Sequence, residues 1–117
     1  MPSVEIYRYL TVRDKRVPLD IEGYLINLDD WSNDLAHAMA AEEGRELTEA
    51  HWEVIYVLRD FYKRFEMAPS MRPLVKAMAQ AHGPEKGKSV YLMRLFPDSP
   101  AKVGARLAGL PKPANCL

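Results

Sequence analysis

A long amphipathic segment in the middle of the chain is the feature that most limits how this protein can fold. Between Glu49 and Glu66, large apolar side chains recur at steps of three and four residues, the spacing of one face of an α-helix. These side chains are Trp52, Ile55, Leu58, Phe61, Tyr62 and Phe65. Thr48 is a suitable N-cap for the helix. So many large side chains on one element predict the central helix of the core.

Shorter helical segments flank this central helix and are separated by glycines and prolines. We predict helices over 31–43, 70–82, about 88–96 and about 100–107, and we expect Asp29 or Asp30 to cap the first of them. The segment from Val4 to Leu19 is rich in β-forming residues around a polar turn at 13–16, which predicts a hairpin with strands near 10–12 and 17–19.

The predicted fold class is therefore mostly α (α+β), with a small N-terminal β-hairpin and about five helices. The break between the central helix and the next one suggests a helix-turn-helix-like arrangement. A chain of 117 residues is the size of one domain. We place that domain at residues 1–109.

The last eight residues have a different character from the helical body. Residues 110–117 contain two prolines, Pro111 and Pro113, and show no apolar periodicity. Prolines forbid helix and favour an extended, stiffened chain. We therefore predict a flexible C-terminal arm over 110–117, with Gly109 as its hinge. The arm carries the protein's single cysteine, Cys116, at the penultimate position.

Composition narrows the classes of function. Sixteen basic residues balance sixteen acidic ones, which argues against direct nucleic-acid binding because phosphate contacts need an excess of Lys and Arg. One cysteine and three scattered histidines, His37, His51 and His82, predict neither a metal site nor an intramolecular disulfide, and no cofactor is expected. No apolar run approaches the roughly 18 residues of a membrane span, so we expect a cytoplasmic protein without membrane contact.

Cys116 is the residue with reactive chemistry. A thiol at the end of an extended arm can enter the active site of a partner while the body docks outside, and it can take up a sulfur atom as a persulfide. The thiolate is the attacking form, and the neighbouring terminal carboxylate disfavours it. We therefore expect the pocket of the partner to activate Cys116. Arg94, Arg106 and Lys112 are the candidates for steering the arm.

Several segments of the chain resemble one known family. They are Glu22-Gly23-Tyr24-Leu25, Trp31, His51-Trp52-Glu53-Val54, Arg59-Asp60-Phe61-Tyr62, Pro69, Arg72, Leu74 to Met78, Glu85-Lys86-Gly87, Arg94-Leu95-Phe96-Pro97, Pro100-Ala101-Lys102 and Ala108 to Leu117. Together they resemble the DsrC/TusE family of sulfur-relay proteins, from about Leu10 to the end of the chain.

The resemblance implies a division by cysteine content. Members that serve dissimilatory sulfite reductase carry a second cysteine at the position that aligns with Ala105, whereas this chain resembles the single-cysteine, TusE-like branch. The implied activity is that of a sulfurtransferase, a persulfide carrier with Cys116 as its one covalent site. The implied partners are a TusBCD-type donor complex and the tRNA thiouridylase that makes wobble 2-thiouridine.

Two alternatives stay open on the sequence alone. A DsrC-like carrier or regulator in dissimilatory or oxidative sulfur metabolism, with a sulfite-reductase-type partner, would share every motif quoted. A helix-turn-helix DNA-binding regulator would use Arg72 and Lys76 and would not need Cys116. Arg59 and Lys63 form a similar basic edge on the central helix, which is either a solvated face or the rim of a docking groove.

Overall fold

The computed structural model describes residues 5–114 and places them in a β-hairpin followed by five α-helices. The strands are β1 (Arg8–Val12) and β2 (Lys15–Leu19), and they pair antiparallel with Leu10 opposite Val17. The helices are α1 (Asn33–Glu42), α2 (Glu49–Phe65), α3 (Met71–His82), α4 (Ser89–Leu95) and α5 (Pro100–Leu107). The predicted fold class is thus confirmed. Within residues 5–114, none of the helices has the length and apolar character needed to cross a membrane.

The hairpin covers one side of the helical body with its apolar face. Leu10, Val17 and Leu19 are all buried, and Val17 and Leu19 are two residues apart, so the period of a strand places them on the same face. On the other face, the guanidinium of Arg16 lies 4.1 Å from the centre of the Tyr9 ring. The alternation of apolar and polar positions therefore fixes which side of the hairpin meets the core.

Helix α2 is the central element of the core, as its sequence pattern predicts. It packs against α3 and α5, and Val54, Ile55 and Leu58 are completely buried. The aromatic residues of the predicted stripe follow this pattern less closely. Trp52, Phe61 and Tyr62 are only partly buried, and Phe65 is 55% exposed. The core prediction for Phe65 was therefore wrong: it occupies the last turn of α2 and packs mainly on the Phe61 ring, 4.6 Å away between centroids.

The start of α1 differs from the predicted cap. Asp29 and Asp30 belong to a short 3-10 helix, Leu28–Asp30, and the N-cap of α1 is Ser32, whose side chain accepts a hydrogen bond from the Leu35 N–H. Trp31 lies between the two helices with an extended backbone. This break directs the Trp31 side chain towards α5, a placement that a continuous helix from 31 would not give.

His51 links the beginning of α2 to the end of α4. Its Nδ1 accepts a hydrogen bond from the backbone N–H of Thr48 at 3.0 Å, so the ring proton is on Nε2, which donates to the Leu95 carbonyl at 2.9 Å. The ring is buried and meets Phe96 edge to face. Nδ1 therefore caps the start of α2, and Nε2 joins α2 to the end of α4.

A tight contact fixes the segment between α3 and α4 against α3. A Cβ added to Gly87 would lie 2.4 Å from the Cβ of Ala79, so only glycine fits there. Next to it, the Lys86 ammonium donates to the Glu53 carboxylate of α2 at 2.8 Å. This hydrogen bond lowers the pKa of Glu53 and raises that of Lys86 relative to their ordinary values.

The Glu53–Lys86 pair predicts a pH-dependent contribution to stability. Because the pKa of Glu53 is lower in the folded than in the unfolded chain, ionised Glu53 stabilises the fold above its ordinary pKa, and this contribution is lost as the pH falls through the folded pKa. We expect wild type to have a larger free energy of urea unfolding than Glu53→Gln at about pH 7, and we expect this excess to shrink as the pH falls below about 4.

The matched control is Glu46→Gln, at an exposed position without an ion pair among residues 5–114. Its difference from wild type should stay constant across the same pH range. A constant difference for Glu53→Gln as well would contradict the prediction.

Candidate functional site

The C-terminal end of α5 is the point from which the cysteine-bearing arm leaves the body. The N–H of Leu110 donates to the Ala105 carbonyl at 2.9 Å, and the N–H of Gly109 donates to the Arg106 carbonyl at 3.1 Å. This pair of bonds is the Schellman motif, which requires a left-handed residue just after the helix. Gly109 supplies that conformation with φ of +72°.

Two side chains from other elements complete this helix end. The indole N–H of Trp31 donates to the Leu107 carbonyl at 2.9 Å, and Nη1 of Arg59 donates to the Ala108 carbonyl at 2.7 Å. The Arg59 guanidinium also stacks 3.8 Å from the centre of the Trp31 ring. The carbonyls that a helix end usually leaves without a partner are therefore bonded here by two turn residues, one tryptophan and one arginine.

Arg59 makes these contacts without a carboxylate partner. Among residues 5–114, no acidic group lies within ion-pair distance of its guanidinium, and burial lowers the pKa of Arg59 from its ordinary value. Its charge is balanced instead by the Trp31 ring and the carbonyl end of α5, which carries partial negative charge.

The first residues of the arm, 109–113, are called here the arm root because they are held on the body. Leu110 is 3% exposed and Pro113 is buried, while Pro111 and Lys112 are exposed. The Lys112 ammonium donates to the Glu22 carboxylate at 2.8 Å. Packing thus continues through Pro113, four residues beyond the domain boundary proposed at 109.

The loop that carries Glu22 is itself fixed. The side chain of Asp20 accepts hydrogen bonds from the N–H groups of Glu22 and Tyr24, each at 2.9 Å. Gly23 has φ of +87° and faces the aliphatic part of Arg106, which a Cβ at Gly23 would approach to 3.2 Å. Glu22 therefore offers Lys112 a carboxylate on a rigid turn.

The basic residues proposed to steer the arm lie in different surroundings. Arg106 forms an ion pair with Glu43 at 2.7 Å, and Lys112 forms the pair with Glu22. Arg94 is exposed on α4. The structure thus places Arg106 near Gly109, Lys112 and Pro113 of the arm root, whereas Arg94 lies on another element. The steering roles of Arg94, Arg106 and Lys112 stay predictions. The hinge role of Gly109 also stays a prediction.

Cys116 itself lies outside the described residues, as do Asn115 and Leu117. The position that aligns with a second cysteine in other members is inside them, and it is completely buried: Ala105 has no exposed surface. Among residues 5–114, no group of three or more His, Asp or Glu side chains could hold a metal ion.

Sequence reasoning placed Arg59 on a basic edge and did not connect it with the arm. The structure shows that Arg59 and Lys63 line a cleft of about 380 Å³ together with Gly109 and Leu110. Trp31 and Glu22 were quoted only as matching residues. The contacts of all three join segments between 49 and 90 residues apart, and no local pattern in a single sequence signals such contacts.

Replacing Gly109 by alanine should strongly destabilise the arm root. The alanine would have to keep the left-handed backbone conformation of Gly109, and its Cβ would lie 2.3 Å from Cδ1 of Trp31. We expect the free energy of urea unfolding to fall by about 2–4 kcal/mol, the sum of backbone strain and overpacking. Gly44→Ala is the matched control, because Gly44 has φ of +68° and no neighbour within 4 Å. It should lose only about 1 kcal/mol; equal losses in the two variants would argue against the close contact with Trp31.

Comparison with known proteins gives the same family by sequence and by structure. The model of the family described as "DsrC like protein" matches residues 11–117. A sulfurtransferase TusE homolog of Haemophilus influenzae is 52% identical over 108 residues, which cover 92% of this chain and 99% of that protein.

Solved structures of DsrC superpose on nearly the whole chain. The NMR structure of Allochromatium vinosum DsrC has a TM-score of 0.86 and 46% identity, and covers 94% of this chain and 98% of that one. The oxidised gamma subunit of the dissimilatory sulfite reductase (DsrC) from Archaeoglobus fulgidus has a TM-score of 0.79 and 37% identity, and covers 93% and 99%. With a family model that spans almost its full length and a fold that these structures share, this chain belongs to the DsrC-like protein family.

Proposed function

We propose that this protein is a sulfur carrier, a sulfurtransferase that takes persulfide sulfur onto Cys116 from a TusBCD-type donor complex. It then passes the sulfur to a tRNA thiouridylase for the synthesis of wobble 2-thiouridine. It acts as a stoichiometric relay between two partner proteins, and needs no cofactor of its own for the transfer.

The transfer step is an exchange of one sulfur atom between two cysteines. The thiolate of Cys116 attacks the terminal sulfur of a donor persulfide, a new S–S bond forms, and the S–S bond of the donor breaks. The donor cysteine leaves as a thiolate, and the transferred sulfur keeps its proton. The number of S–S bonds is the same before and after, so the step needs no external oxidant or reductant.

The observation that carries the proposal is the close similarity to a sulfurtransferase over almost the whole chain, in a protein with one thiol. The Haemophilus influenzae relative bears that name at 52% identity, and Cys116 is the only cysteine available for such chemistry. A persulfide on Cys116 cannot be released by a second cysteine of the same chain, because there is none. Sulfur loaded there therefore leaves only by reaction with another molecule, and in the relay that molecule is the acceptor protein.

The charges around the arm root support activation of Cys116 by a partner. Lys112 and Arg106 are the cationic residues closest to Cys116 in sequence. Each has a carboxylate within 2.8 Å, from Glu22 and Glu43 respectively. Their positive charge is thus largely compensated on the body. A free thiol with an ordinary pKa of about 8.5 is mostly protonated at neutral pH, so the pocket of the partner must favour the thiolate.

A DsrC-like role in dissimilatory or oxidative sulfur metabolism is the second candidate. It is favoured by the structural similarity to DsrC proteins, one of which is described as a gamma subunit of dissimilatory sulfite reductase. Against it stands Ala105, which occupies the position of the second cysteine and is fully buried in the core.

Nothing in the comparisons or in residues 5–114 favours the DNA-binding alternative. We propose a cytoplasmic location, where the tRNA substrate of this pathway is found.

Loading of Cys116 is the first prediction of this proposal. Incubation with a cysteine desulfurase, its relay proteins and cysteine should add one sulfur atom to the wild-type protein, removable by a thiol reductant. The variant Cys116→Ser should gain none, since the hydroxyl cannot form a persulfide. Intact-protein mass spectrometry measures both. Equal gains in the two proteins, or no gain in wild type with an active donor present, would refute the carrier mechanism.

The acceptor is tested by a separate experiment. Purified carrier loaded with labelled sulfur is mixed either with a tRNA thiouridylase and tRNA or with a dissimilatory-type sulfite reductase, and the label is followed into each product. We expect label in tRNA that depends on Cys116. Transfer to the reductase partner alone would favour the DsrC-like role and reject the tRNA pathway.

A further inference from the structure

The surface that a sulfur donor must cover is limited by the length of the arm beyond its last buried residue. Pro113 is buried, and Cys116 is three residues further on. Three residues of fully extended chain span at most roughly 10 Å. A donor that presents a persulfide to Cys116 must therefore contact the body close to the arm root.

We propose that the donor docks on a cleft formed by Ile6, Tyr7 and Ile21, called here the hairpin cleft. This inference rests on the proposed function and adds to it the location of the donor-binding surface. The cleft measures about 330 Å³ and lies where the segment before β1 passes the turn after β2.

The three large side chains of the hairpin cleft are exposed to solvent on the body. Ile6 is 47% exposed, Tyr7 63% and Ile21 74%, although large apolar side chains are usually placed in the core. All three line the same cleft, so one apolar side chain of a partner could contact them together. A partner that covers them would remove apolar surface from water, which stabilises the complex.

One residue connects the hairpin cleft to the arm root along the chain. Ile21 immediately precedes Glu22, whose carboxylate binds the Lys112 ammonium at 2.8 Å. A typical interface buries about 800 Å² on each partner, far more than this cleft offers. A protein centred on Ile21 would therefore extend over the Glu22–Lys112 pair and reach the exit of the arm.

The other side of the arm root is less suited to such a contact. The cleft next to Gly109 and Leu110 is lined by Leu28 and Tyr62 together with four charged residues, Asp29, Asp60, Arg59 and Lys63. None of its residues is among the exposed large hydrophobic side chains of residues 5–114. Charged groups of both signs are costly to desolvate without individual partners. The side with the exposed apolar side chains is therefore the docking surface.

The chemistry of the donor follows from the lining of the hairpin cleft. Glu5 and Asp20 line it beside the apolar side chains, and within residues 5–114 no basic residue does. The matching surface of the donor carries a projecting apolar side chain flanked by Lys or Arg. In the docked complex, the persulfide-bearing cysteine of the donor lies within roughly 10 Å of Pro113. Opposite charges would also raise the association rate at low salt.

The test compares loading from a protein donor with loading from a small molecule. The double variant Tyr7→Ser/Ile21→Ser keeps the fold, because both side chains are exposed, and this is checked by its urea-unfolding midpoint. Val90→Ser is the matched control, since Val90 is 57% exposed on α4 and does not line the cleft. Each protein is loaded at sub-saturating concentration from a purified, persulfidated TusBCD-type complex and, separately, from inorganic polysulfide.

We expect the double variant to load from the protein donor with a rate constant reduced about ten-fold or more, the effect of removing central interface residues. Loading from polysulfide, and both reactions of Val90→Ser, should match wild type. Wild-type loading of the double variant from the protein donor would overturn the docking surface and leave the carrier function intact. An equal loss in Val90→Ser would also overturn it. Failure of wild type to load from either source would reject the proposed function itself.

Discussion

The structure around the arm depends on how the C-terminal carbonyls of α5 are bonded. Four consecutive carbonyl groups, those of Ala105 to Ala108, would have no partner within the helix. Two are bonded by the backbone N–H groups of the following turn, and the other two by the side chains of Trp31 and Arg59. Buried carbonyls without partners would cost about 1–3 kcal/mol each, so these contacts hold the end of α5, the loop at Trp31 and α2 in one arrangement.

This arrangement determines where a reactive group at the C-terminus can go. The left-handed Gly109 turns the chain against Trp31, Leu110 enters the core, and Lys112 binds Glu22. The chain therefore leaves the body at a defined point near the turn after β2. A short tether of this kind restricts sulfur transfer to proteins that bind the body, because a thiol that reaches only roughly 10 Å from Pro113 meets other active sites only after docking.

The charged residues near the arm illustrate why net charge says little about a local site. The chain has no formal net charge, and the sequence suggested that Arg106 and Lys112 could act on a partner. In the structure each is paired with a carboxylate from a distant segment, Glu43 or Glu22, while Arg59, placed by its sequence on a surface edge, stacks on Trp31. Cations that connect elements of the body in this way contribute little field to a thiol beyond it.

The sequence by itself determined the elements and the family. The spacing of Ile55 and Leu58 identified the central helix, and the polar turn at 13–16 identified the hairpin. The two prolines before the single cysteine set the last residues apart from the helical body, and the segments quoted from about Leu10 to the end of the chain identified the family. Such features are local, because helical periodicity, turn composition and covalent sequence need no distant contact. The exposure of Phe65 was missed because it depends on where the end of α2 lies relative to the rest of the body. The Ser32 cap is local, but Asp29, Asp30 and Ser32 are all suitable caps, and their composition alone does not choose among them.

Only the tertiary structure decided how the arm is attached. The contacts of Gly109 with Trp31, of Ala108 with Arg59 and of Lys112 with Glu22 join segments far apart in the chain. None of these pairs has a spacing or a motif that a single sequence can reveal, since their proximity results from packing α5 against α2 and the loop before α1. The sequence therefore proposes which residue carries the chemistry, and only the tertiary structure shows how the chain leading to it is held on the body.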